Sequence, residues 1–518
     1  MRSSAVMAYG SLLSRATGFA RSAVIAAALG IGLTADGYAV GNSLPTIVYV
    51  LLMGGALNAV FVPELVRAAK EHEDGGAAYT DRLLTVCVLA LLAITAAAVW
   101  AAPAIVGGYT GYTGDQATTT IAFARYCLPQ IFFLGVFTLL GQVLNARGRF
   151  GAMMWAPVLN NLVVIGVFGA CLALGTGRDG TLSAAETTLI GWGTTAGIAV
   201  QTLALLPALR AARFRWRFRL DWRSSGLGRP LRAAGWLVLL VLANQAAYWV
   251  TTRLATAAGL DGGPGFSAYN NAYALWMVPH GITTVSLVTA LMPRMSAAAA
   301  DADTAALRRD VSYALRTSAA AVVPAACVLF AAAHSVTDLA YGYGRTDAAD
   351  TAAMMAFAPG LVALSGQYVL SRAFYALGDT RTPFLLNLVV AGLNSGLAFT
   401  AAQLLPARWT VTGMAAGYSL GLCVGWAVTA HVLSRRLRVD HPSRSSAARA
   451  HVRLLLAAVP ATALSLPAAR GIAPAGALTA LVTSVLVVVL TFALLARPLR
   501  LTELVTLLSG VRRRVARR

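Results

Sequence analysis

Two arginines stand in the first long apolar run of the sequence, Ser11-Leu-Leu-Ser-Arg-Ala-Thr-Gly-Phe-Ala-Arg-Ser22. A membrane-spanning helix ordinarily carries none. At about 100° per residue, Arg15, Arg21, Ser11, Ser14, Ser22 and Gly18 share one helical sector of about 120°. Leu12, Leu13, Ala16, Phe19, Ala20 and Ala23 take the remainder. A lone arginine at the bilayer centre costs roughly 2.5–3.5 kcal/mol even on lenient insertion scales. Two on one face therefore call for a hydrated cavity or a partner anion. The chemistry they offer is charge-assisted, bidentate binding of a phosphate or carboxylate.

Other candidates are placed around this pair. Asp36 follows Thr34 and reads as a gating acid, as a pairing partner for Arg15 and Arg21, or as a carboxylate favouring a helix start. Arg253 either faces the same anion or snorkels toward the outer end of the seventh apolar segment. His280, beside Pro279, reads as a proton relay or as a hydrogen-bonded packing residue. Asn58, Asn244 and Gln245 have the character of interhelical hydrogen-bonding groups. The five cysteines stand singly in apolar segments with no metal-ligand spacing. No GxxxxGK[ST] motif and no nucleophile triad occurs. Neither an enzyme nor a cofactor is expected.

Of the 518 residues, 58% are hydrophobic and 12% charged, against about 25% charged in soluble domains. The chain reads as an all-α polytopic membrane protein. Apolar runs of about 20 residues cover 5–30, 36–62, 82–107, 121–146, 152–176, 186–210, 232–258, 266–293, 311–336, 351–376, 383–405, 410–434, 452–472 and 476–497. The net charge of +21 is gathered in loops after the even-numbered runs, as at Arg147 and Arg149, Arg213 to Arg219, Arg308 and Arg309, and Arg435 and Arg436. That is the positive-inside pattern, and it places both termini in the cytoplasm. It also removes the charge as an argument for nucleic-acid binding. The alternating segment Arg213-Phe-Arg-Trp-Arg-Phe-Arg219, if extended, sets arginines on one face and aromatics on the other, as an interfacial linker or a contact for anionic lipid. The tail Val511–Arg518 reads as a basic anchor on anionic lipid.

An ungapped offset of 230 residues sets Pro63 on Pro293, Pro129 on Pro359, and Ala146 and Gly148 on Ala376 and Gly378. Several matches at one offset argue for duplication. Six helices per repeat give both repeats one orientation, the plan of parallel-repeat transporters. The division expected is an N-lobe over 1–230, a C-lobe over 231–440, and two appended helices with a basic tail over 441–518. The offset sets Arg15 on Gln245 and Arg21 on Thr251, so the cationic face belongs to the N-lobe.

Ser14-Arg15-x-x-Gly18-Phe19-x-Arg21, Ala35-Asp36, and Gly55-Ala56-Leu57 running into Phe61-Val62-Pro63 resemble the opening of the MurJ (MviN) lipid II flippases. Arg372-Ala-Phe-Tyr-Ala-Leu-Gly-Asp-Thr-Arg-Thr-Pro383 is similar to that family's helix ten–eleven hairpin, shared across the wider multidrug/oligosaccharidyl-lipid/polysaccharide exporter superfamily. The resemblance implies flipping of the undecaprenyl-pyrophosphate-linked peptidoglycan precursor across the cytoplasmic membrane by alternating access. Arg15, Arg21, Ser14, Gly18, Arg253 and Asp36 are then the substrate-binding set, with Asp36 and His280 as gate or relay. Partners implied are the lipid-linked precursor, anionic membrane lipids and cell-wall synthesis or division proteins. The chain departs from the family where members carry charges on helices two and eight: it has Tyr49-Val50, Gly54 and Tyr273-Ala274 there. A polysaccharide-unit exporter, a drug/cation antiporter and a non-transporting cell-wall scaffold are the competing readings.

Overall fold

The computed structural model describes all residues except 1, 31, 53–75, 148, 150, 176–181, 220–234, 343–348, 438–445 and 505–518. Over the described residues, each apolar run named above coincides with a helix or with a helix broken once. In chain order these are α1 (Arg2–Leu29), α2 (Leu33–Leu52), α3 (Ala77–Trp100 with Ala102–Tyr109), α4 (Gly114–Cys127 with Gln130–Ala146), α5 (Gly151–Leu174), α6 (Ala184–Leu203 with Leu206–Ala211) and α7 (Gly235–Leu260). They continue as α8 (Phe266–Ala300), α9 (Thr304–Ala331 with Ala333–Tyr341), α10 (Ala349–Phe357 with Gly360–Ala376), α11 (Arg381–Leu404), α12 (Ala407–Arg436), α13 (Ser446–Ile472) and α14 (Ala477–Ala496). Helices are what apolar runs of this length must form in lipid, because only they satisfy every backbone polar group within the segment. Among the described residues, ten helices are long and apolar enough to cross a bilayer, or eleven with α10, whose parts meet at 44°.

The duplication is visible in the backbone. The second part of α4, Gln130–Ala146, and that of α10, Gly360–Ala376, are both 17 residues long and lie 230 positions apart. Each follows a proline, Pro129 or Pro359, whose ring nitrogen has no hydrogen to continue the ladder. The same offset relates α5 to α11, both 24 residues. It also relates the bonds that close the two broken helices, Arg149 N–H to Leu144 O and Asp379 N–H to Phe374 O, each 2.9 Å. The Pro63–Pro293 match, Gly54, Asn58 and the 511–518 tail lie on, or have a partner on, residues outside those described.

Contacts group the chain into two compact units: Met1–Asp261 with Gly265–Ser267 and Tyr343–Thr346, and Gly262–Pro264 with Ala268–Gly342 and Asp347–Arg518. In the first unit, α1 packs on α5, α2 on α4, and α4 and α5 on α6. Tyr38, Phe123 and Phe168 meet edge-on at its centre. α7, which the sequence repeat counts with the second lobe, packs within the first unit, on α2 and α3. Gln245 Nε2 donates to Ile47 O at 3.0 Å, and Trp249 Nε1 to Gly108 O at 2.8 Å. In the second unit, α11 packs on α12, α9 on α10 and α13, and α13 on α14. Leu486, Leu490 and Leu494 of α14 are exposed, as a lipid-facing surface requires.

The Arg213–Arg219 segment is neither helix nor strand, and it begins at a turn where Arg213 has φ 51°. Phe214 packs into the first unit under the Arg147 guanidinium, which stands 5.0 Å from its ring. Trp216 Nε1 donates to Thr85 Oγ1 at 3.3 Å. Arg213, Arg215 and Arg217 are exposed, but so are Trp216 and Phe218, and Arg219 is half-buried, so the segment does not divide into a basic and an aromatic face.

Candidate functional site

The polar sector of α1 is set by its packing on α5. Asn161 Nδ2 donates to Ser14 O at 3.1 Å and to Thr17 Oγ1 at 3.0 Å. This two-point contact fixes the rotation of α1 at Ser14 and Thr17, on either side of Arg15 in the chain. Gly18 is beside the same amide, where a Cβ would lie 3.5 Å from Asn161 Nδ2. That is ordinary contact, so packing alone does not demand glycine there. The Ser22 hydroxyl turns back to Gly18 O at 3.2 Å, which removes it from the set free to meet a ligand.

Arg15 is exposed, and Arg21 is half-buried. The Nε of Arg21 is enclosed, and among the described residues it has no hydrogen-bond partner. A buried guanidinium N–H left unpaired is strongly unfavourable. Its orphaned donor points to an anion or to water, the requirement already posed by the charge.

Asp36 does not supply that anion. Its side chain is 1% exposed, and its Oδ1 accepts from Ser267 N–H at 2.7 Å and its Oδ2 from Phe266 N–H at 3.1 Å. The carboxylate of α2 thus caps the N-terminus of α8, where free amides and the helix dipole favour negative charge. Asp36 also stands in the first turn of its own helix, α2, where the helix-start reading put it. Gly265 makes the approach possible: a Cβ there would overlap the Asp36 carboxylate, and one on Gly259 would come within 2.9 Å of it. A signal for this existed. α8 opens after Gly262-Gly-Pro-Gly265 with no serine, threonine, aspartate or asparagine at the usual capping place. A helix start without its own cap needs an acceptor from elsewhere.

Arg253 is half-buried and donates from Nη1 to Gly107 O at 3.2 Å, at the C-terminal end of α3. With Trp249 on the next carbonyl, it satisfies helix-end acceptors in the manner of a cationic C-cap. It therefore has a partner at the end of α3.

His280 is buried in the second unit. Its Nδ1 lies 2.9 Å from Ser365 Oγ, and its ring stands edge-on to Tyr368 at 5.2 Å. Arg372, one turn further along α10, lies over the Tyr368 ring at 4.7 Å and donates to its hydroxyl at 3.0 Å. The geometry favours the packing reading of His280. Two of the positions where the resemblance implies charge, Tyr49 and Tyr273, hold tyrosines. Tyr49 bonds Thr138 Oγ1 at 2.6 Å, and Tyr273 joins Trp276, Phe357 and Tyr418 in one aromatic cluster. Sequence reasoning missed Asn161, because a lone asparagine in an apolar run carries no address, and met Arg372 only as part of the hairpin motif.

A family model described as lipid II flippase MurJ matches residues 25–495. The chain belongs to the lipid II flippase MurJ family. Among its relatives, a lipid II flippase MurJ of Burkholderia cenocepacia is 28% identical over 386 residues, 72% of each chain. A probable lipid II flippase MurJ of Rhizobium meliloti is 26% identical over 412 residues, 77% of this chain and 75% of the relative. The fold is that of a solved lipid II flippase MurJ in an inward closed conformation, with a TM-score of 0.74, 15% identity and coverage of 95% of this chain and 99% of that one. It is also shared with an inward-facing multidrug resistance MATE transporter of the MOP superfamily, TM-score 0.65 and 17% identity over 82% and 96%. Membership of MurJ makes this a multi-pass membrane transporter and agrees with the resemblance read from the α1 and α10–α11 residues.

Proposed function

We propose that the chain flips lipid II, the undecaprenyl-pyrophosphate-linked peptidoglycan precursor, across the cytoplasmic membrane, with Arg15 and Arg21 holding the pyrophosphate. The observation that carries this reading is the enclosed Nε of Arg21, which has no hydrogen-bond partner among the described residues. The carboxylate that would otherwise neutralise the α1 arginines is committed to the α8 amides. Crossing about 30 Å of hydrocarbon is prohibitive for a bare pyrophosphate. Two guanidiniums on one helix face compensate it with charge-assisted bonds, while the polyprenyl tail stays in lipid. Arg253 joins as a second contributor, since its bond to Gly107 uses one of five guanidinium donors. The repeats over 1–230 and 231–440 act as rocking lobes that expose the cationic face to one side and then the other. Both termini are on the cytoplasmic side, the position that the arginine distribution favours. No bond is made or broken in the substrate, so no catalytic residue is assigned.

Complementation of a flippase-depleted strain tests the clamp. An Arg15→Ala/Arg21→Ala double variant that is abundant and inserted is expected not to support growth, and its purified form not to move reconstituted lipid II. Full function of that variant would remove the assignment. Headgroup exposure without flipping would favour the scaffold reading.

A further inference from the structure

The cations of α1 are presented by a helix that is gripped from its neighbour α5. Asn161 of α5 is 5% exposed and stands among Val158, Leu162, Val163 and Val164. Burying a carboxamide in such a run is unfavourable unless its hydrogens find acceptors. Both go to α1, one to Ser14 O at 3.1 Å and one to Thr17 Oγ1 at 3.0 Å. The Thr17 hydroxyl hydrogen is already committed within α1, to Leu13 O at 2.8 Å with Ser14 O at 3.2 Å. In this contact Thr17 therefore accepts and Asn161 donates.

Nothing in α1 needs these two bonds for its own hydrogen-bond accounting. Ser14 O is an interior carbonyl of α1, placed to take the N–H of Gly18 four residues on. Thr17 keeps Leu13 O whatever residue stands at 161. An apolar residue in place of Asn161 would strand no group of α1 and would spare α5 a buried amide. What the amide adds is orientation. Gly18, beside it, has no Cβ to interlock with α5, so side-chain packing at this level gives α1 little to index on.

The grip lies on the stripe that carries Arg21. At about 100° per residue, with Ser14 as zero, Thr17 falls at about 300°, Gly18 at about 40° and Arg21 at about 340°. Arg15, at about 100°, stands to one side. This matches the half-buried Arg21 with its enclosed Nε, and the exposed Arg15. Turning α1 by about 20° moves a group at the rim of the helix, about 5–6 Å from its axis, through roughly 2 Å. A misplacement of about 1 Å can cost about a hundredfold in rate.

We propose that Asn161 is a positioning residue for transport: through Ser14 and Thr17 it indexes the rotation of α1 and so holds the Arg21 guanidinium on the substrate's phosphate. This rests on the reading of Arg15 and Arg21 as the pyrophosphate ligands. The amide also has the required charge. An ionised aspartate of the same shape has no hydrogen to donate to Ser14 O, and it would set a counter-ion beside the cationic sector that the phosphate is to occupy.

The test is reconstituted lipid II transport by the purified full chain, as initial rate against lipid II concentration, together with thermal unfolding. Asn161→Leu, with the same branching and no donors, is expected to unfold close to the parent temperature. Its half-maximal transport should need about tenfold more lipid II or beyond, as a displacement of about 1 Å implies. A merely destabilised protein would lose maximal rate with half-saturation unchanged, and that result would overturn the positioning role. Asn161→Asp should lose at least as much as Asn161→Leu. Thr17→Val removes one of the two acceptors and should shift half-saturation less, in the same direction. Thr17→Ser keeps the hydroxyl and should restore the parent value. Asn161→Leu/Thr17→Val should be no worse than Asn161→Leu, since both act through one contact. Parent half-saturation in Asn161→Leu or in Thr17→Val, or additive losses in the pair, would overturn the proposal. Should Asn161→Leu fail to insert, the two Thr17 variants decide alone. Arg15→Ala/Arg21→Ala in the same assay separates positioning from the clamp itself. Loss there with parent behaviour in Asn161→Leu removes the positioning role only, and full transport there removes both.

Discussion

Asp36 is a buried charge and Arg21 a half-buried one, and their situations are opposite. Asp36 accepts two amide hydrogens at the start of α8, whereas Arg21 keeps an enclosed Nε with no partner among the described residues. Substitution should separate them. Asp36→Ala leaves the amides of Phe266 and Ser267, both buried, without an acceptor. A buried donor stranded this way costs about 1–3 kcal/mol. Thermal unfolding of the purified variant should fall accordingly. Arg21→Met removes a desolvated, uncompensated donor and keeps the volume, so its unfolding temperature should hold or rise while lipid II transport is lost. A drop as large as that of Asp36→Ala would mean that Arg21 is a structural ion rather than a ligand. The difference in legibility has a physical cause. An arginine in an apolar run is conspicuous whatever surrounds it, so Arg15 and Arg21 could be singled out from the sequence. The target of Asp36 is backbone 230 residues away, and backbone amides have no letter in a sequence. Only the missing cap before α8 hinted at it.

Between elements, the approach of α2 to α4 depends on Gly37 and Gly41, a small-xxx-small pair on one helix face. A Cβ on Gly41 would come within 2.8 Å of Phe123 Cβ and 3.0 Å of the Ala124 backbone nitrogen. The α4 backbone cannot swing aside as a side chain would. Gly41→Ala should therefore destabilise by about 1–3 kcal/mol, the usual effect of overpacking, seen as a lower unfolding temperature. By contrast Gly18→Ala should be close to neutral for stability, since its Cβ finds ordinary contact. At the α10–α11 connection, outside the spanning segments, Asp379 caps α11. Its Oδ1 accepts from Thr382 N–H at 2.9 Å and its Oδ2 from the Thr382 hydroxyl at 2.7 Å, with Arg436 Nη1 at 3.4 Å. Partial burial opposes the charge, but these bonds outweigh it and hold the carboxyl below its ordinary value. A depressed folded value means that the cap stabilises above about pH 4, the unfolded range, and that this is lost as pH falls through the folded value. Asp379→Ala should cost about 1 kcal/mol at pH 7, and the gap to the parent should close in acid. At this scale the sequence was informative wherever punctuation was strong. Pro129 and Pro359 break α4 and α10 at positions the repeat had already paired. It was silent on which faces touch, because the glycine pair of α2 reads the same whether it meets a helix or lipid.

For the chain as a whole, the question that decides the arrangement of every loop is parity. Helices α3, α4, α6, α9 and α10 are each broken once, and a break that reversed the chain would exchange the two sides for everything after it. Length argues against reversal in α3, where the second part, Ala102–Tyr109, has 8 residues. At 1.5 Å per residue this is about 12 Å, far short of the 30 Å core. The 9 residues of Ala333–Tyr341 in α9 fail equally. Charge argues the same way. Arg213 to Arg219, Arg308 and Arg309, and Arg435 and Arg436 fall on one side only if each broken helix counts as a single span. One reversed break would place an arginine cluster outside. In a variant with the five native cysteines replaced, single cysteines at Thr113, after α3, and at Asp261, after α7, should react with an impermeant thiol reagent in intact cells. A cysteine at Asp301, after α8, should react only once the membrane is opened. Labelling of Thr113→Cys from outside but Asp261→Cys only from inside would locate a reversal between α4 and α7. It would also dissolve the parallel relation of the two repeats, since a six-span unit keeps its orientation only if the count within it is even.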